Sequence, residues 1–206
     1  MAIDVHWTLF DSPYYQDRIA MDWFWDTAQP VSIADVATLV LGPEALLIHL
    51  CGHLALHHAA SGLLWWHDIV EVLSTCRDEI DWTEVLARTQ MYGLALPMYA
   101  VLSGVVENWG VAIPLEALST LRALPHSRGE ERVFDWLRRR NRPAGPRFLA
   151  DLGSMTGWRR RLRFAGTHLF PSASYMRQRY QIRPDPPSPA APLHYPYRWL
   201  RGLRRS

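Results

Sequence analysis

The chain contains no lysine; all 22 of its basic residues are arginine. That absence looks like genomic base composition more than selection for the guanidinium group, so it assigns no chemistry by itself. Cysteine is scarce too. Cys51 and Cys76 form no Cys-x-x-Cys pair and cannot build a disulfide framework; both sit in apolar helical contexts and read as buried free thiols of a reduced compartment. No apolar run approaches the ~20 residues needed to cross a bilayer, because Glu, His and Arg interrupt every candidate. Met1 leads directly into Ala-Ile-Asp with no basic or apolar leader, so no secretory signal is visible and the cytoplasm is the expected location. A Gly-rich phosphate loop, a Gly-x-Ser-x-Gly elbow and a Cys/His zinc spacing are all missing, which removes the common nucleotide-loop, hydrolase and zinc-ribbon classes.

Cations are also nearly absent from the first part of the chain. Residues 1–121 hold fifteen Asp/Glu and three Arg, a balance of −12, whereas residues 122–206 hold five Asp/Glu and nineteen Arg, a balance of +14. Two readings compete for the basic part. In one it neutralises the acidic part of the same molecule; in the other it faces phosphate or nucleic acid. With an acidic partner in the same chain, neutralisation is favoured over nucleic acid. The runs Arg138–Arg140 and Arg159–Arg161 occupy adjacent helical positions that splay around the axis, and they read as solvated faces.

What is present is helix. With 206 residues and 49% hydrophobic content, the chain can bury one core plus a smaller appendage. Ile3-Asp4-Val5-His6-Trp7 alternates apolar and polar residues with a period of two, the pattern of a half-buried strand. It begins almost at Met1 with nothing upstream to pair, and everything after about residue 30 reads as helix or loop. A lone strand is unstable in water, so a β-augmentation site or a severed sheet edge is implied. After the turn residues Asp11-Ser12-Pro13, an aromatic-rich helix is expected over 16–28, ended by Pro30. Ser32-Ile33-Ala34-Asp35 resembles a capping box. Further helices are expected over 43–58, over 63–74 with Leu64, Ile69, Val72 and Leu73 inward, and over 81–91 with Asp81 as N-cap. Others follow over 94–109 with Gly110 as C-cap, 115–121 after Pro114, 130–140, 147–154 and 158–169. Short connections imply an antiparallel bundle. Residues 183–189 are a proline-rich linker, and 197–205 suit a short basic amphipathic helix.

The histidines cluster. His49, His53 and His57 recur every four residues, so they share one helix face, with His58 adjacent and His67-Asp68 on the next helix. Two imidazoles at such spacing can chelate a metal, but the zincin pattern needs a Glu directly after the first His, and Gly or Leu stands there. A metal-dependent phosphohydrolase set of His53, His67, Asp68 and Asp135 is a weaker alternative. The favoured expectation is structural: imidazoles bonded across the helix hairpin, for instance to Asp68 or a backbone carbonyl.

Three segments together carry a resemblance: Ile3-Asp4-Val5-His6-Trp7-Thr8-Leu9; Leu46 through His53 and Leu64-Trp65-Trp66-His67-Asp68-Ile69; and His168-Leu169-Phe170-Pro171-Ser172 with Tyr175 through Tyr180. In order and spacing they resemble an uncharacterised bacterial nucleotidyltransferase family of the polymerase-β-like superfamily, in its C-terminal portion. The resemblance implies a catalytic half with a Gly-Ser turn and an Asp-x-Asp pair that hold nucleotide phosphates and two Mg²⁺ ions. It implies a third carboxylate from a later strand, the position matched by Asp4, with His6 placed to orient acceptor or phosphate. This sequence has neither the Gly-Ser turn nor the Asp-x-Asp pair, and one carboxylate cannot hold two Mg²⁺ ions.

The expectation is therefore a mainly α protein, a helical bundle with a short N-terminal β-strand remnant of an incomplete α/β nucleotidyltransferase domain. The expected divisions are residues 1–30 as the end of that domain, 31–155 as the bundle, and 156–206 as a basic, proline-rich extension. The resemblance implies nucleotidyl transfer from a nucleoside triphosphate to an unidentified acceptor hydroxyl, with catalytic residues Asp4 and His6 and metal ligand Asp4. The chain alone is expected to be inactive, partnered by a missing or separate catalytic half, as from a truncated frame, a split gene or a degenerate copy. A non-catalytic helical module that pairs through its N-terminal strand is the alternative.

Overall fold

The computed structural model describes residues 8–139 and 144–180. The expected strand over residues 3–7 with Asp4 and His6, the proline-rich stretch 183–189 and the expected helix over 197–205 lie outside the described residues. The chain divides into two compact units, residues 1–140 and 141–206. The described architecture is mainly helical, with one two-stranded antiparallel sheet near the N-terminus.

The aromatic segment expected as one helix is two short ones, α1 (Pro13–Gln16) and α2 (Met21–Asp26). Arg18 breaks the run: its guanidinium donates to the Tyr14 carbonyl at 2.8 Å and lies over the Tyr14 ring, closing α1 before Ile19 turns inward. Next comes a hairpin that the sequence reading missed, β1 (Gln29–Ile33) and β2 (Val36–Val40). Ile33 pairs with Val36, which leaves Ala34-Asp35 as a two-residue turn with both φ angles positive, 49° and 64°. That is the primed turn whose twist suits a hairpin. The capping box expected at Ser32–Asp35 therefore does not form. Val31, Ile33, Val36, Thr38 and Val40 are β-branched and favour the pleat, and Pro30 is tolerated because each strand of a two-stranded sheet has an open edge. Ile33, Val36 and Leu39 all remain mostly exposed.

The bundle is built around α3 (Pro43–Leu56). Gly42 precedes it and Pro43 fills the first helical position, where a missing N–H costs nothing. Its sequence is apolar on nearly all sides, which marks a central helix. Leu47, Ile48, Cys51 and Leu54 are fully buried, and α3 packs on α4 (Leu63–Thr75), α5 (Trp82–Tyr92), α6 (Ala95–Trp109) and α8 (Arg128–Leu137). Each large apolar side chain sealed this way contributes about 1.5–3 kcal/mol. A surface pair such as Glu84–Arg88, at 2.7 Å, adds about 0.3–0.5 kcal/mol, so packing rather than charge holds the unit.

Local signals place the remaining elements. Asp81 caps α5, accepting from the N–H groups of Thr83 (2.8 Å) and Glu84 (3.3 Å), as its sequence position predicts. Gly93 and Gly110 end α5 and α6 with φ near +65°, a conformation only glycine adopts cheaply. α7 (Leu115–Ala123) follows Pro114. Ser127 caps α8, which starts two residues earlier and stops three earlier than the expected 130–140. On α4, Ile69, Val72 and Leu73 are buried as expected, but Leu64 is 67% exposed. At 100° per residue, position 64 falls about 125° from the centre of the stripe of Trp65, Ile69, Val72 and Leu73, off the buried face. Cys51 and Cys76 are both free, and burial pushes the Cys51 thiol well above its ordinary value.

In the second unit, α9 (Ala144–Ser154) and α10 (Trp158–Leu169) pack through Phe148 and Phe164, whose rings stack 5.7 Å apart. The sequence reading contained no α11 (Ala173–Tyr180), although Ser172 gave the signal: its hydroxyl accepts from the Tyr175 N–H at 3.2 Å, a serine N-cap.

Candidate functional site

The histidine face of α3 is the most chemically dense place among the described residues. His49, His53 and His57 lie along one row, ring centroids 5.6 Å apart for the first pair and 4.7 Å for the second. His57 is the C-cap of α3, donating its backbone N–H to the His53 carbonyl at 3.0 Å. The chain then reverses sharply. Ala59 and Ala60 both take positive φ, 49° and 53°, which costs about 1–2 kcal/mol per residue for a side chain with a Cβ. Strain of this kind persists only where the surroundings over-determine it. Here the Ala60 N–H reaches back to the Leu54 carbonyl at 3.0 Å, and the Trp66 indole donates to the Ala60 carbonyl at 3.3 Å.

That reversal folds His58 back onto its own helix. His58 Nε2 and His53 Nε2 stand 3.0 Å apart. One ring must carry its proton on Nε2 and the other must accept there. The other flank is Trp65, in the first turn of α4; its indole stacks on His58 at 4.4 Å and tilts against His53 at 5.0 Å. The His53 imidazole is thus ringed by His49, His57, His58 and Trp65.

Residues 8–11, the segment directly after the expected strand, close the His57 end of the row. Phe10 is buried against Gly52, a position on α3 where a Cβ would collide with the ring. Phe10 also lies 6.2 Å from the His57 ring. The Asp11 backbone N–H donates to His57 Nε2 at 3.4 Å, and the Asp11 carboxylate lies 3.9 Å from His57 Nδ1. Both contacts favour the His57 tautomer with the proton on Nδ1. The imidazoles were expected to bond across the hairpin, for instance to Asp68 or a backbone carbonyl; the contacts described join His53 to His58 and His57 to Asp11.

The other sequence candidates are not gathered here. His67 is exposed, and Asp135 is exposed on α8 beside Arg138 at 3.9 Å. Among the described residues, no group of three or more His, Cys, Asp or Glu side chains is placed to hold a metal ion. The one Gly-Ser pair in the sequence, Gly153-Ser154, closes α9 rather than opening a phosphate loop. Asp4 and His6 lie outside the described residues. The ligand set that two Mg²⁺ ions require is therefore not met by the carboxylates described, and Asp4 alone would not supply it.

Sequence reasoning also missed a cavity of about 300 Å³ lined by Leu73, Arg77, Asp78, Ile80, Trp82 and the 112–114 segment. Its signal lay in the charged Arg77-Asp78 turn between α4 and α5. A second omission is Glu130, buried on α8, whose carboxylate accepts from the Leu96 N–H in the first turn of α6 at 3.4 Å.

Comparison with known proteins gives one match. A family model described as "Uncharacterised nucleotidyltransferase" matches residues 1–110, which include the Asp4–His6 segment, the hairpin and the whole histidine face. No curated protein and no solved structure matches. No described helix is long and apolar enough to cross a membrane. Because the matched stretch covers more than half of the 206 residues, the chain belongs to this family of uncharacterised nucleotidyltransferases.

Proposed function

We propose that this chain serves the transfer of a nucleotidyl group from a nucleoside triphosphate to an acceptor hydroxyl, as a helical half that works with carboxylates from another polypeptide. Asp4 is assigned as a metal-binding carboxylate and His6 as a group that orients acceptor or phosphate. The observation that carries the reading is the family match over residues 1–110, a span in which Asp4 and His6 run directly into the segment packed on the histidine face.

In this reading the bundle's task is positioning. Phe10 is wedged on Gly52 and Asp11 is tied to His57, so residues 8–11 are a fixed lead-out for the segment that bears Asp4. Holding reacting groups in register is where much of the catalysis of phosphoryl and nucleotidyl transfer arises. The ring cluster of His53, His58 and Trp65 offers an aromatic wall with imidazole nitrogens, suited to an acceptor that carries hydroxyls. The carboxylates among the described residues do not make a Mg²⁺ site.

The test is incubation of the purified chain with Mg²⁺, each labelled nucleoside triphosphate and cell extract as acceptor source. The expected result is no label transfer by the chain alone. Transfer is expected on addition of a partner that carries an Asp-x-Asp pair, and it should be lost with Asp4→Asn. Transfer by the chain alone would overturn the division of labour; partnered transfer that survives Asp4→Asn would overturn the role of Asp4.

A further inference from the structure

The second unit holds an arrangement that nucleotidyl transfer does not use. In α10, positions 158, 162, 165 and 169 fall within a narrow stripe at 100° per residue, and they are Trp, Leu, Ala and Leu. Trp158 and Leu162 are 67% and 62% exposed. The stripe does not face α9: Phe164, which makes that contact, lies about 130° around the helix from it. Arg159 borders the stripe on one side and Arg161 on the other, both exposed, with Arg163 further round the helix, while α10 contains no acidic residue. The adjacent arginines are solvated, as their sequence positions predict. They bracket an apolar strip.

We propose that this face of α10 is a docking surface for an anionic lipid bilayer, with Trp158 and Leu162 entering the interface and the bordering arginines meeting lipid phosphates. Charge complementarity selects the occupant. Arg159, Arg160, Arg161 and Arg163 stand on α10 with no acidic residue among them, so the chemistry around the stripe suits an anionic cover. A nucleic-acid backbone would satisfy the arginines but would leave Leu162 and the Trp158 indole without an apolar phase. A bilayer offers both, phosphates above and acyl chains just beneath, and tryptophan prefers that boundary.

The experiment is co-sedimentation of the full chain with vesicles of phosphatidylcholine alone and of an equimolar mixture with phosphatidylglycerol. A parallel arm measures binding to random single- and double-stranded oligonucleotides. The chain should sediment with the anionic vesicles, remain in solution with the neutral ones, and dissociate as salt is raised. Arg159→Gln and Arg161→Gln should each lower partitioning by about fivefold, and Leu162→Glu should abolish it. Position 162 is exposed, so the helical circular dichroism of Leu162→Glu should match the parent; if it does not, the arginine variants decide alone. Failure to bind anionic vesicles at low salt, or binding indifferent to both kinds of substitution, overturns the proposal. Arginine-dependent oligonucleotide binding without vesicle binding overturns it in favour of nucleic acid.

Discussion

Phe10 lies against Gly52, filling the space on α3 where any other residue would place a Cβ. The contact joins the lead segment to the central helix within one turn of His53. It also sets two effects of opposite sign against each other. Alanine is the better helix former, by about 0.8–1.0 kcal/mol over glycine. At position 52 its methyl group would have to displace a buried aromatic ring, and overpacking of a closed core costs about 1–3 kcal/mol. Sterics should win. Gly52→Ala is therefore expected to lower the urea midpoint despite its helix propensity, with a net loss of up to about 2 kcal/mol. Pairing it with Phe10→Leu should recover part of that loss. Additive losses in the double variant would show that the ring and the glycine do not share the strain.

The contact between His53 and His58 makes a separable prediction. Their Nε2 atoms are 3.0 Å apart, and each ring also packs on Trp65. A neutral hydrogen bond contributes about 0.5–1.5 kcal/mol, and residues in direct contact couple by comparable amounts. In a cycle of His53→Ala, His58→Ala and the double variant, a coupling of about 1 kcal/mol is expected at neutral pH. His49→Ala combined with His58→Ala serves as the control, with a smaller coupling. Imidazole ¹⁵N shifts should place the His57 proton on Nδ1, facing the Asp11 carboxylate. A coupling indistinguishable from zero would mean the two rings only share a neighbourhood.

Much of the bundle was legible because its signals are local. Asp81, Gly110 and Pro43 mark helix ends through their own backbone chemistry, and the structure puts a helix terminus at each. The hairpin was not legible, since Ser32 through Asp35 satisfies a helix-start pattern. What decides against helix is the β-branched alternation on both sides and a turn with positive φ at residues that are not glycine. For the candidate site, spacing alone put His49, His53 and His57 on one face. That His58 returns to His53 depends on two strained alanines, which no periodicity announces. Glu130 escaped notice for a related reason. Beside Glu131 and Arg132 it looks like part of a solvated helix start, and only the tertiary fold lays it under the N-terminus of α6.

Glu130 should also leave a mark on the pH dependence of stability. Burial pushes its carboxyl above the ordinary glutamate value of 4.5, against the opposing pull of the Leu96 N–H, His126 and Arg18. An acid whose affinity for its proton is higher in the folded state binds more protons folded than unfolded between the two values. Its contribution is therefore fully present below the unfolded value and is lost as pH rises through the folded one. Glu130→Gln removes the ionisation while keeping an oxygen for the Leu96 N–H. The variant should match or exceed the parent in stability at neutral pH, and its advantage should shrink as pH falls toward 4.5 and vanish below it. Urea midpoints of the two proteins compared across that range isolate the effect, because the other carboxylates cancel in the difference. Glu130→Ala should instead lose about 1–3 kcal/mol over the whole range, since it strips the Leu96 N–H of its buried acceptor. An advantage of Glu130→Gln that grows toward acid would mean the folded state favours the charged carboxylate, held by the α6 N-terminus more strongly than burial opposes it.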